Sequence, residues 1–196
     1  MAEDALRSGA LEPTNQWYAV SKIAGIMLCR AYRRQYGCDF ISAMPTNLYG
    51  ENDDFDLESS HVVPALLAKA HAAKMNGDAY MKVWGTDKPR REFLYVADAA
   101  DAMVHLMKTY SGEAHINVGT GADILIAELA ELISAVVGYE GGVRYDSEKP
   151  DGAPFKRLDV TRLDALGWKA NTDLSHAMSG IRPELPSTAE IANVIR

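Results

Sequence analysis

Cysteine is scarce. The chain holds two, Cys29 and Cys38. Neither belongs to a C-x-x-C pair and no His stands near them at ligand spacing. A disulfide framework and a zinc site are therefore excluded from the expected architecture, and no metal site is expected elsewhere. Such usage makes a reducing, cytoplasmic setting the default. No stretch of roughly 18 uncharged apolar residues exists, so neither a membrane span nor a membrane partner is expected. Met1 to Ala10 is mixed and charged, without an apolar signal core. Positive charge is also short: 20 Lys and Arg against 27 Asp and Glu leave a net charge of -7. That argues against a nucleic-acid partner, which needs broad phosphate neutralisation. A nucleotide stays possible, because a few local Arg and Lys suffice to clamp its phosphates.

What is there is the pattern of a soluble α/β chain, long enough for a sizeable core. Val20, Ile23, Ala24, Met27, Leu28 and Ala31 recur at helical spacing, which predicts a helix over Asn15–Tyr36 stopped by Gly37. A short strand is expected over 39–44, running into a turn-rich Pro45–Gly50 that cannot continue it far. Residues 51–58 are acidic and irregular. A helix starting near Ser60 carries Pro64 in its first turn, where a missing N–H costs little. Strands are expected over Tyr80–Trp84, Arg91–Val96, 114–118 and 143–146. Helices are expected from about Asp98 to Tyr110 and over 124–138, then two short ones near 161–166 and 174–181. A loop is expected over 150–154, and the tail after Pro183 carries little pattern. Alternating strand and helix imply an α/β fold with parallel strands and a second, smaller lobe interleaved with the sheet.

Tyr18 and Lys22 stand four apart on the predicted helix and share a face. An ammonium beside a phenol favours the phenolate, and a phenol so tuned can exchange a proton with a carbonyl or alcohol. Spacing alone favours a surface Tyr beside a solvated Lys, and a second such pair, Tyr145 and Lys149, falls where strand passes to loop. His61 is expected at a helix N-terminus, where the dipole disfavours an imidazolium; a capping or surface role is the plainer reading. Lys88, Arg90 and Arg91 form a basic turn able to fork onto phosphate. Trp84 could cover a base or sugar, although core packing is the plainer role. Asp151, Lys156 and Arg157 flank a Pro-Asp-Gly turn. Gly119-Thr120-Gly121 lacks the full phosphate-loop pattern and reads as a strand-to-helix turn. His71, His105, His115 and His176 read as structural or surface.

The stretch Leu11-Glu-Pro-Thr-Asn-Gln-Trp-Tyr18-Ala-Val-Ser-Lys22-Ile-Ala-Gly25 resembles the catalytic helix of extended short-chain dehydrogenases, and more narrowly the GDP-L-fucose synthase family. Met44–Gly50, Ser59–Leu67, Val83-Trp-Gly85 with Arg91–Val96, Ile116–Gly121 and Lys149–Leu163 agree in the same order. The resemblance implies the C-terminal part of a Rossmann-type doubly wound sheet with an interleaved substrate-binding lobe. It places the remainder of an NADP-binding domain in 1–50 and mainly the substrate lobe in 51–182, with elements near 91–118 returning to the sheet and 183–196 as a tail. It implies NADP(H) as cofactor, a GDP-sugar as substrate and a homodimer as assembly.

By the same resemblance Tyr18, Lys22 and His61 are catalytic. Tyr18, Lys22, Pro45, Thr46, Asn47, Leu48 and His61 would meet the cofactor. Asn47, Val62, Lys69, Trp84, Arg91, Asp151 and Lys156 would meet the substrate. Family members begin with a Gly-rich βαβαβ half, and none precedes Tyr18 here. The expectation is an N-terminally truncated chain, inactive alone, with the apolar faces of the Tyr18 helix uncovered. Pro183–Arg196 also lacks the aromatic-rich helix the resemblance leads one to expect. Another sugar-nucleotide epimerase or dehydratase, or a non-catalytic GDP-sugar-binding remnant, are the alternatives.

Overall fold

A computed structural model describes residues 1–56, 60–149 and 151–181. The expectations for Ser59, Pro150 and the 183–196 tail lie outside the described residues. In chain order the elements are α1 (Gln16–Tyr36), β1 (Ala43–Pro45), β2 (Asn47–Tyr49), α2 (Val62–Asn76), β3 (Tyr80–Trp84), β4 (Arg90–Arg91), β5 (Phe93–Tyr95), α3 (Val96–Thr109), β6 (Ile116–Val118), β7 (Ile124–Leu125), α4 (Ile126–Val137), β8 (Gly142–Asp146), β9 (Phe155–Lys156), α5 (Thr161–Ala165) and α6 (Leu174–Ile181). Two compact units divide them. The first comprises 1–48, 92–123 and 156–171, and the second 49–91, 124–155 and 172 onward.

In the first unit β1 and β6 pair in parallel, with Ala43 opposite Ile116 and Pro45 opposite Val118. Leu94, Ala102, Leu106, Ile116 and Val118 form its core with Leu163 and Trp168. The Trp168 indole N–H donates to Asp101 Oδ2 at 2.7 Å, so the ring is buried without stranding its polar end. Helix α1 ends as the sequence predicts: Gly37 adopts φ 68°, and its N–H returns to the Arg33 carbonyl. The helix is tied down at its far end, where Arg34 forks onto the Glu113 carboxylate and Arg30 Nε donates to the Glu113 carbonyl. Along its length Ile26 alone is buried, while Trp17 is 79% and Leu28 58% exposed. The uncovered apolar surface expected of this helix is therefore present.

In the second unit β3 and β8 pair in parallel from Tyr80–Gly142 to Trp84–Asp146. Met81 and Val83 turn inward, where α2 contributes Val63, Leu66, Leu67 and Ala70. Helix α4 packs on α2 with Leu129, Ala130 and Ile133, and α6 packs on α4 with Ala177 and Met178. Pro64 sits within the first turn of α2, where its missing N–H is harmless.

Three local expectations shift. The strand expected over 39–44 is confined to 43–45, because the Asp39 side chain is taken by Arg33 and Ser111. The 45–50 segment turns less than its composition suggests and forms β2, paired with β5. The run 91–96 breaks at Glu92 into β4 and β5, and β4 pairs with β7 antiparallel.

His115 precedes β6 and is 1% exposed, with neither ring nitrogen hydrogen-bonded. Burial lowers its pKa, Arg30 and Arg162 lower it further, and Glu3 opposes them. An imidazole whose folded pKa is depressed contributes full stability above its unfolded value of about 6.5, and that stability is lost as pH falls toward the folded value. The urea midpoint is therefore expected to drop between pH 7 and pH 5.5, above the range where the lowered aspartates titrate. His115→Leu should flatten that stretch, and an unchanged slope would refute the assignment.

Candidate functional site

Two groups of side chains carry chemistry, one in each unit. In the first unit α1 presents Tyr18 and Lys22 on one face, and the Lys22 Nζ lies 5.1 Å from the centre of the Tyr18 ring. The phenol is 61% exposed, so it is open to a ligand. Pro45 is exposed and Leu48 half-buried, but the polar groups between them turn inward. The Thr46 hydroxyl and Asn47 Nδ2 both donate to the Glu92 carbonyl, at 3.2 and 2.7 Å. The Asn47 amide is thereby oriented. Thr46, 7% exposed, offers little side-chain surface.

Glu92 itself was not singled out by sequence, and it is the organising residue of this unit. It is fully buried. Its Oε1 accepts from the Gly121 N–H at 2.7 Å and its Oε2 from the Leu158 N–H at 2.7 Å. Its own N–H donates to the Lys156 carbonyl at 3.1 Å. A Cβ at Gly119 would run into the same carboxyl group. The Gly119-Thr120-Gly121 turn thus closes on an internal carboxyl, and it leads from β6 into the short strand β7, which runs on into α4, where the sequence reads a direct strand-to-helix turn. A lone Glu between Arg91 and an apolar Phe-Leu pair was the available signal.

The second unit holds a cleft of about 200 Å³ lined by Ser60, Val62, Lys69, Trp84, Arg91 and Asp151, among others. Five predicted substrate contacts, Val62, Lys69, Trp84, Arg91 and Asp151, therefore meet, drawn from α2, β3, β4 and the loop after β8. Trp84 is 44% exposed, so the plainer reading of core packing does not hold. The alternation of β3 buries Met81 and Val83 and turns Tyr80, Lys82 and Trp84 outward. Lys69 Nζ lies 4.7 Å from the Trp84 ring centre. Burial lowers the Lys69 pKa, and Lys82 adds to the effect. Burial also lowers that of Arg91, against the pull of Asp151. The Arg91 guanidinium donates to the carbonyls of Arg90 and Asp151, at 2.8 and 3.0 Å. The Asp151 carboxylate accepts from the Thr86 N–H at 2.5 Å and the Thr86 hydroxyl at 2.8 Å, and these bonds hold its pKa low. With that carboxylate occupied, cations dominate the cleft, which suits an anionic ligand beside an aromatic face.

His61 takes the N-cap position of α2, but its ring makes no capping bond and is exposed. Lys156 falls in the first unit, on β9. Tyr145 and Lys149 do not act as a pair: burial raises the Tyr145 pKa, and Lys149 turns to Trp84. His105 Nε2 meets the Leu166 carbonyl at 2.8 Å, a structural role as expected. Among the described residues no cluster of His, Cys, Asp or Glu could hold a metal ion, both cysteines are free, and no helix is long and apolar enough to cross a membrane.

A parallel α/β core bearing a Tyr-x-x-x-Lys helix, with a cation-lined cleft in a separate unit, defines an enzyme-like α/β chain. Residues 2–119 match the family model described as NAD dependent epimerase/dehydratase family, and the chain belongs to that family. It is 56% identical over 172 residues to a GDP-L-fucose synthase of Sinorhizobium fredii, covering 88% of this chain and 55% of the relative. It is 53% identical to the GDP-L-fucose synthase of Escherichia coli K12, covering 86% and 55%. A solved GDP-L-fucose synthetase from Naegleria fowleri bound to NADP superposes with a TM-score of 0.88 at 30% identity, over 93% of this chain and 59% of that one. The chain spans about half the length of the curated relatives it matches.

Proposed function

We propose that the chain is the substrate-binding portion of an NADPH-dependent GDP-L-fucose synthase, which converts GDP-4-keto-6-deoxy-D-mannose to GDP-L-fucose by 3,5-epimerisation and 4-keto reduction. The observation that carries the reading is the cleft uniting Lys69, Trp84, Arg91 and Asp151, in a chain 53–56% identical to several relatives of that name. In this reading the first unit is the remainder of the cofactor-binding domain and the second is the substrate lobe. The assembly is a cytoplasmic homodimer, acting on free GDP-sugar and not on nucleic acid or a membrane.

The residues present fit the nicotinamide end of NADP(H). An exposed phenol with an ammonium over its ring is available to a ligand, and Asn47 has a fixed amide beside Pro45 and Leu48. NADPH, when bound, supplies hydride for C4. Tyr18 donates a proton to the C4 oxygen, and Lys22 stabilises the phenolate left behind. The C4 ketone acidifies the hydrogens at C3 and C5, and His61, exposed and uncommitted to its cap, serves as a proton donor in those inversions. Lys69 and Arg91 meet the diphosphate, and Trp84 covers the ligand.

Calorimetric titration with GDP-mannose, a stable mimic of the substrate, tests the reading. The chain is expected to bind it, and Arg91→Ala should weaken binding about 10- to 100-fold through loss of a charged hydrogen-bonding partner. UDP-glucose should bind more weakly. Absence of GDP-mannose binding, or indifference to Arg91→Ala, would sink the proposal.

A further inference from the structure

The β3–β8 ladder ends with Trp84 opposite Asp146, and a single oxygen fixes the backbone just past that pair. The Asp146 carbonyl accepts from the Gly85 N–H at 2.9 Å and from the Lys149 N–H at 3.1 Å. The backbone of Lys149 is therefore pinned beside the residue after Trp84. Its Nζ lies 5.0 Å from the centre of the Trp84 ring, which already has Lys69 Nζ at 4.7 Å. Two ammonium groups thus share one half-exposed indole.

The nearby carboxylates bond to other groups, although the Lys149 charge still adds a little to the lowering of the Asp146 pKa. Asp146 takes Lys82 at 2.7 Å, and Asp151 takes Thr86. Among the described residues neither Lys69 nor Lys149 is paired with a carboxylate. Two like charges gathered at one ring repel each other, and an exposed ring holds an ammonium only weakly. A phosphate oxygen is the better partner for either. Burial lowers the Lys69 pKa and Lys82 adds to the effect, and an anionic ligand would favour its charged form again.

We propose that Lys149 is a specificity-determining residue of the cleft, a further cation that leaves the Trp84 indole to meet the diphosphate of a bound nucleoside diphosphate sugar. The inference rests on the reading of the cleft as a GDP-sugar site, and it adds a residue that the Tyr-x-x-x-Lys spacing had assigned to an unrelated pair. The second ammonium makes the site select for a diphosphate over a monophosphate or a bare nucleoside. Release from the ring also frees an indole face for the ligand.

Calorimetry with GDP, GMP and guanosine on the parent chain, Lys149→Met and Lys149→Arg tests it. Lys149 is exposed, so the variants should fold, which thermal melting checks. The parent is expected to prefer GDP over GMP. Lys149→Met should lose on the order of 10-fold in GDP affinity, keep its guanosine affinity and show a shallower salt dependence, whereas Lys149→Arg should stay within about 3-fold of the parent. GDP binding by Lys149→Met at the parent's affinity and salt slope would overturn the proposal while leaving the GDP-sugar reading intact. A parent that binds no guanine nucleotide would overturn both.

Discussion

Replacing Glu92 by Ala is expected to cost about 3–5 kcal/mol of folding stability, a large share of what a domain of this size holds. The substitution leaves the N–H groups of Gly121 and Leu158 buried without their acceptor, and it removes a partner of the Thr120 hydroxyl. Each stranded donor costs about 1–3 kcal/mol. Glu92→Gln should cost less, because it keeps the shape and one acceptor while setting an NH₂ against one of the two N–H groups. Urea unfolding measures both. A loss under about 1 kcal/mol for the alanine variant would mean that the turn reorganises freely.

Tyr18→Phe is expected to lower turnover by on the order of 10²- to 10⁴-fold, since it removes only the proton that the C4 oxygen needs. The assay is best run with this chain substituted for the matching stretch of the Sinorhizobium fredii relative, whose sequence is 56% identical here. GDP-mannose affinity should change far less than turnover, because Phe keeps the ring and loses a single hydroxyl, while the charged contacts to the diphosphate from Lys69 and Arg91 are untouched. The exposed position of Tyr18 makes a folding defect an unsuitable explanation for the loss. Turnover within about 10-fold of the parent would remove Tyr18 from the role of acid.

Much of this was legible in the sequence, for physical reasons that differ by residue. The long helices declared themselves through apolar periodicity, and Gly37 marked a boundary that needs a positive φ. Tyr18, Lys22, Trp84 and Arg91 were singled out as candidates because motif order survives where contacts are invisible. The exposure of Trp84 was not legible, since it depends on which face of β3 meets α2. The strand β2 was hidden because Pro45 and Asn47 read as turn formers, while a distant carbonyl on Glu92 satisfies the Asn47 amide. Lys149 and Glu92 were missed for one reason: each draws its meaning from pairings some 28 to 66 residues away in the chain, or from the register of two strands far apart in sequence.

The interleaving of the two units has a consequence for biosynthesis. The chain passes between them at 48/49, 91/92, 123/124, 155/156 and 171/172, so neither unit is a contiguous stretch. While the ribosome is still adding residues, the first unit lacks Leu158 and Trp168, and the Glu92 carboxyl has no Leu158 N–H to hold. Folding one domain at a time from the N-terminus, the usual protection for a nascent multi-unit chain, is closed to this topology. Half-made chains must carry unfinished cores, and chaperone dependence during synthesis should exceed what the stability of the finished protein suggests.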